Sequence, residues 1–204
     1  MGAEYDRLLQ ILKVPDGAVR AAFRVGSRVY GTDGPTSDHD YLVVLEKLDQ
    51  KQDLLFGPDI NVIVHGLRGF QAALDEGSVL AFEAVFTPPP HRLKEPRPPF
   101  SFRLDRIRLV ESAISRSTSD FEKARKRFYE EPEASRKKLF HSLRVLLFAR
   151  ELARTGRLAD FAAANEHFEE IMSDPCPSFE PHEARYGALR TALCEELRAV
   201  AGRR

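Results

Sequence analysis

The chain has 204 residues, 43% of them hydrophobic, and its 31 Lys+Arg balance 31 Asp+Glu to a formal net charge of zero. That apolar content fills one sizeable core or two small ones. Zero net charge excludes a global basic field that would draw the chain to nucleic acid or an anionic membrane surface, and no apolar run approaches the ~18 residues of a spanning helix.

The opening stretch, MGAEYDRLLQ, has neither a basic n-region nor an apolar h-region, so no signal peptide is expected. Met-Gly begins like a myristoylation site, but Asp6 stands where Ser or Thr is required. Cys176 and Cys194 lack a metal-ligand spacing and read as two structural thiols of a reducing compartment, which points to a cytoplasmic location.

In chain order, YDRLLQILK places Leu8, Leu9, Ile11 and Leu12 at helical spacing. AVRAAFRV (residues 18–25) is rich in apolar and β-branched residues and ends at Gly26, as a strand running into a turn does. YLVVL (41–45) is a near-continuous apolar run suited to a strand covered on both faces. INVIVH (60–65) reads as a third strand, LRGFQAALDEG as a helix closed by Gly77, and VLAFEAVF as a short apolar helix stopped by prolines. Residues 87–100, TPPPHRLKEPRPPF, hold six prolines and predict a stiff connector.

The second half reads as helical throughout. Leu139, Phe140, Leu143, Leu146 and Leu147 recur at 3.6-residue spacing in a helix stopped by Gly156. Further helices are expected near 104–118, 120–130, 158–172 and 182–201. The fold class is therefore α+β: a small mixed sheet with helices over residues 1–90, a connector at 87–100, and an α-helical bundle over 101–204.

The most informative stretch is FRVGSRVYGTDGPTSDHDYLVV, residues 23–44. Asp38 and Asp40 are two residues apart at the start of a strand, so they share a face. Two neighbouring carboxylates repel unless a cation lies between them. Magnesium suits such a pair, because it takes hard oxygen ligands and leaves positions for phosphate oxygens. Gly26 allows a ligand close to the backbone, and Ser27 adds a hydroxyl beside exposed amides, as loops that grip phosphate do. A solvated turn is the plain alternative, since TDGPTSDHD has ordinary loop composition. The two halves together, with ten residues between Ser27 and Asp38, favour a metal–nucleotide site.

GSRVYGT followed by SDHDYLVV closely resembles the nucleotidyltransferases of the DNA-polymerase-β superfamily, whose signature is Gly-Ser, a spacer, then Asp-x-Asp. Within that superfamily the chain looks most like bacterial predicted nucleotidyltransferases with a helical C-terminal region. HGLRGFQAAL, LAFEAVF and KKLFHSLRVLLFARELARTGRL agree with that subgroup. The resemblance implies Mg-dependent transfer of a nucleoside monophosphate, most simply AMP from ATP, to a hydroxyl of a protein, small molecule or RNA end. It implies a triphosphate held by Gly26 and Ser27, with Arg28 and Ser37 beside it, and two Mg²⁺ held by Asp38 and Asp40. A third carboxylate on a later strand would serve as metal ligand and base. Asp59 and Asn61 share a strand face; counting back from LRGF, the family's aspartate falls on Asn61, and Asp59 is taken for the role, with a weakened site as the alternative.

Lys137, His141 and Arg144 form one stripe on the long helix. It reads either as a solvated face or, with Lys137 and His141 as nucleotide-binding residues, as a face turned to the triphosphate. Glu122–Phe128 is a basic cluster, read as a solvated helix face or as a surface for RNA. Glu83 is expected to face the cleft or to cap a buried arginine. Two other functions fit parts of the sequence. Asn61 suits a nucleotide-binding or regulatory protein with weakened turnover, and Arg136 with His141 matches the Arg-x4-His spacing of HEPN-type ribonucleases.

Overall fold

The computed structural model describes residues 2–49, 51–56 and 59–202. Its described residues form a five-stranded mixed sheet and eight α-helices, the α+β class. They divide into two compact units, 1–75 with 80–103, and 76–79 with 104–204.

The first unit is built on the sheet. Helix α1 (Ala3–Leu12) precedes β1 (Val19–Val25), and the one-turn helix α2 (Ser27–Tyr30) follows it. Then come β2 (His39–Leu45), β3 (Gln52–Phe56), β4 (Ile60–Gly66), α3 (Leu67–Asp75), α4 (Val79–Phe86) and β5 (Arg92–Lys94). The strand order is β3-β4-β2-β1-β5. Strands β2 and β4 are parallel, pairing Asp40 with Asn61 and Leu42 with Ile63. Strands β1 and β2 are antiparallel, pairing Val25 with Asp40 and Phe23 with Leu42.

Alternation along the strands sends residues to two cores. Tyr41, Val43, Ile60, Val62 and Val64 pack with Tyr5 and Leu8 of α1. Phe23, Leu42 and Val44 alternate with that set, and all three are at most 1% exposed. Truncating a fully buried Leu42 to alanine would cost about 2–5 kcal/mol. Strand β2 is thus covered on both faces, as its apolar run predicts.

The proline-rich segment expected to be a connector is instead part of the first unit. Residues 92–94 pair with β1 as an edge strand, and Phe100 and Phe102 stack against Phe70 and Phe82 at 4.7 and 5.2 Å between centroids. Edge strands tolerate nearby prolines, because one side of the strand needs no ladder hydrogen bond. The division between units therefore falls after Arg103 rather than within residues 87–100.

Every element described beyond residue 104 is an α-helix: α5 (Arg106–Arg127), α6 (Pro132–Thr155), α7 (Asn165–Ser173) and α8 (Glu180–Ala201). Asp105 caps α5 by accepting from the Ile107 and Arg108 amides, and Gly156 ends α6 at φ 73°. The two helices expected over 104–130 are one continuous helix. At the expected gap Ser117 is fully buried and the Thr118 hydroxyl donates back to the Ile114 carbonyl at 2.8 Å, so the polar residues there do not break the helix. Leu109, Phe121, Leu139, Leu143, Leu146, Phe148, Ile171 and Leu197 form the bundle core. None of the described helices is long and apolar enough to cross a membrane.

Candidate functional site

Strand β1 delivers the chain to Gly26, whose φ of 80° and ψ of −161° lie in a region open only to glycine. The chain then closes one helical turn, with the Val29 amide donating to the Gly26 carbonyl at 2.9 Å. A β-carbon at position 26 would lie 2.2 Å from Asp40 Oδ2. The Asp40 carboxylate thus fills the space that any other side chain would take. Glycine is required here twice, by the backbone angle and by this close approach.

Asp38 and Asp40 converge, as their i, i+2 spacing predicts. Register does the rest: Asp40 sits beside Val25 on one neighbour and Asn61 on the other. The Asn61 amide Nδ2 donates to Asp38 Oδ2 at 2.5 Å and to Asp40 Oδ1 at 3.0 Å. A side-chain amide carries two N–H donors, and here each meets one carboxylate. The amide occupies the position between two anions where a cation would relieve their repulsion.

Asn61 therefore holds the place that counting from LRGF assigned to a third carboxylate. Asp59 precedes β4 as an exposed residue, and its carbonyl accepts from the His39 amide at 2.7 Å. The parallel register of His39 with Ile60 puts Asp59 at the open end of the strand pair, next to Asp38. Among the described residues no group of three or more His, Cys, Asp and Glu side chains is placed to hold a metal ion. The donor set on offer is two carboxylates and one amide.

The loop between α2 and β2 is organised by its own residues. Arg28, expected to pair with phosphate, donates from Nη2 to the Ser37 carbonyl at 2.7 Å and from Nε to the Asp38 carbonyl at 3.2 Å. Its Nη1 lies 3.3 Å from Asp33 Oδ2. It fixes the chain immediately before the acidic pair. Ser37 Oγ accepts from the Gly34 amide at 2.9 Å and closes the turn. Ser27 opens α2, and the first-turn amides of a helix have no intrahelical partner.

Tyr30, at the end of α2, is buried and donates its hydroxyl to Glu83 Oε2 at 2.5 Å. Glu83, expected to face the cleft or to cap a buried arginine, is only 3% exposed and accepts from that phenol. This pair ties α2 to α4 and so anchors the Gly26–Ser27 turn from below. The partners are 53 residues apart, and nothing local in the sequence announces the bond.

The other sequence candidates lie on α6, in the second unit. Lys137 is exposed and paired with Glu133 at 2.8 Å. His141 is not on a solvated face: its Nδ1 is buried without a hydrogen-bond partner, and burial, reinforced by Arg144, Lys138, Arg116 and Lys137, holds its pKa well below the usual histidine value. Arg144 lies over the Phe148 ring at 5.5 Å. Arg136 donates to the Cys176 carbonyl at 3.2 Å and lies over Phe128. Five residues apart on a helix, Arg136 and His141 are about 140° apart around its axis, and they contact different neighbours.

Compared with protein-family models and with curated proteins, the chain matches none.

Proposed function

We propose that this protein is a Mg-dependent nucleotidyltransferase of the DNA-polymerase-β type, which uses a nucleoside triphosphate, most simply ATP. The observation that carries the reading is the convergence of Gly26, Asp38, Asp40 and Asn61 on three neighbouring strands.

In this reading Asp38 and Asp40 hold Mg²⁺, which bridges the triphosphate and neutralises charge on it during transfer. The arrangement fits the ion. The carboxylates are hard oxygen donors, and rotating the Asn61 amide by a half turn exchanges its Nδ2 for Oδ1 with little change of shape. Asn61 then becomes a neutral ligand in place of a hydrogen-bond donor. The Gly26–Ser27 turn takes the β and γ phosphates, Arg28 and Ser37 hold the preceding loop in shape, and the acceptor hydroxyl belongs to a protein, a small molecule or an RNA end. Asp59, immediately before β4, is the remaining carboxylate for the part of base.

Asn61 itself favours a second reading, a nucleotide-binding protein of the same fold with feeble transfer, because an amide neither accepts the acceptor's proton nor adds charge to the metal site. Incubation with each α-phosphate-labelled nucleoside triphosphate, Mg²⁺ and a cell lysate separates the two. Label carried into an acceptor, and lost in Asp38→Asn, supports transfer. Mg-dependent nucleotide binding without labelled product supports the second reading, and absence of both sinks the site.

A further inference from the structure

Asp40, Asn61 and Leu55 stand in one row across β2, β4 and β3, since Asp40 pairs with Asn61 and Asn61 with Leu55. Paired residues of neighbouring strands share a face, and alternation adds Asp53 and Ile63 to it. On this face Phe23, Leu42 and Val44 are buried. The cover ends beyond β2: Ile63 is half-buried, and Leu55 is 77% exposed. An apolar shelf, Leu55 with Ile63, therefore adjoins the acidic pair. The other face of β3 is packed, because Leu54 and Phe56 lie against the core that holds Tyr5 and Leu8 of α1. Strand β3 is also outermost in the sheet, so the side of its backbone away from β4 has no strand partner among the described residues.

We propose that this shelf and the free edge of β3 dock the acceptor, and that the acceptor is a polypeptide. The proposal rests on the nucleotidyltransferase reading above. In that reading the β and γ phosphates lie at the Gly26–Ser27 turn, on the β1 side of Asp40. Attacking and leaving oxygens stand in line across the α-phosphorus. The acceptor oxygen bonds to phosphorus as the bond to the bridging oxygen of the β-phosphate breaks, the hydroxyl proton passes to Asp59, and pyrophosphate leaves. The leaving group departs toward β1, so the hydroxyl arrives from the opposite side, where Asn61 and then Leu55 lie.

The chemistry of the shelf selects the acceptor. An exposed leucine beside a half-buried isoleucine favours an apolar partner, because contact removes both surfaces from water. The free edge offers backbone amides and carbonyls at the spacing that an extended peptide matches by strand addition. A nucleic acid is disfavoured. Asp38, Asp40, Asp53 and Asp59 border the path, and Lys51 is already paired with Asp53 at 3.1 Å, so little is left to neutralise phosphates. An added strand runs about 10 Å from Asn61, two strand spacings. The hydroxyl therefore belongs to a residue where the peptide leaves the edge at the Leu55 end and crosses the shelf toward Asn61. Leu55 is a docking residue and takes no part in holding the nucleotide.

The test labels a cell lysate with α-phosphate-labelled ATP and Mg²⁺, using the parent, Leu55→Ser and Leu55→Lys, and measures the affinity of each protein for Mg-ATP by calorimetry. Residue 55 is so exposed that either change should leave the fold intact. Label transferred by the parent should be destroyed by protease and spared by ribonuclease. Both variants should lower the initial rate about tenfold in dilute lysate, and less as the lysate is concentrated, because the loss is one of acceptor binding. Both should bind Mg-ATP as the parent does. Ribonuclease-sensitive label that rises in Leu55→Lys overturns the proposal in favour of a nucleic acid. Label confined to small molecules overturns it, as does label indifferent to residue 55. If label of any of these kinds is lost in the Asp38→Asn, Asp40→Asn double variant, the nucleotidyltransferase reading stands and the shelf alone falls. Absence of label from a parent that binds Mg-ATP overturns the shelf together with transfer.

Discussion

Gly26 and Asp40 occupy one volume: the carboxylate of Asp40 fills the place where residue 26 would carry a side chain, 2.2 Å from the β-carbon position. The turn after β1 and the start of β2 are thus shaped to each other, and a ligand held by the turn lies against the acidic pair.

Gly26→Ala is expected to fail on both counts. The backbone angles alone cost about 1–3 kcal/mol for a residue with a β-carbon, and Asp40 must move as well. Thermal denaturation should show the loss of stability, and Mg-nucleotide binding should vanish even at temperatures where the variant is folded. A folded variant that binds normally would contradict the required fit between the two residues.

Asn61→Asp sets three carboxylates side by side. Without metal the variant should be about 1–2 kcal/mol less stable at pH 7, through like-charge repulsion. Mg²⁺ should restore that loss and raise the melting temperature of the variant more than that of the parent. Transfer should increase. Asp59→Ala should leave Mg-nucleotide binding intact, and a fall in transfer of about 10²–10⁴-fold would assign Asp59 the base.

Tyr30→Phe removes the hydroxyl that reaches Glu83. The loss of one buried hydrogen bond to a carboxyl group should cost about 1–3 kcal/mol. It should also weaken nucleotide binding, because α2 loses its tie to α4. Chemical denaturation measures the first effect, and calorimetry the second.

Acid should destabilise the bundle through His182. Its ring packs against Phe128, Phe179 and Tyr186, with centroids 5.4, 6.3 and 6.1 Å away. Burial lowers its pKa; Asp174 opposes that shift and Arg136 adds to it. The unfolded chain, with an ordinary value of 6.5, takes up the proton first. Stability is therefore complete above about pH 6.5 and falls as pH drops below it, until the folded value is reached. Urea midpoints at pH 7.5 and 5.5 should differ, and His182→Phe should shrink the difference.

The central strands were legible because β2 is a near-continuous apolar run, β1 and β4 are mostly apolar, and β1 runs into Gly26. Strand β3 was not: Gln52 and Asp53 are polar, Leu55 is 77% exposed, and an edge strand needs no apolar run. Strand β5 hides among prolines. The acidic pair and the Gly-Ser turn followed from spacing, yet the bridging role of Asn61 depends on parallel register across the sheet, which a one-residue slip would reverse. Arg28 reads as a phosphate ligand until the loop it ties down is seen. His141 sits on a stripe of charged residues, and the burial of its Nδ1 depends on packing that the helical spacing does not show.

The most direct measurement is calorimetric titration of Mg-ATP and of metal-free ATP into the parent and into the Asp38→Asn, Asp40→Asn double variant. The parent should bind Mg-ATP more tightly than ATP alone, and the double variant should lose that difference while remaining folded. Equal affinity of both proteins for Mg-ATP would contradict a metal–nucleotide site at Gly26, Asp38 and Asp40.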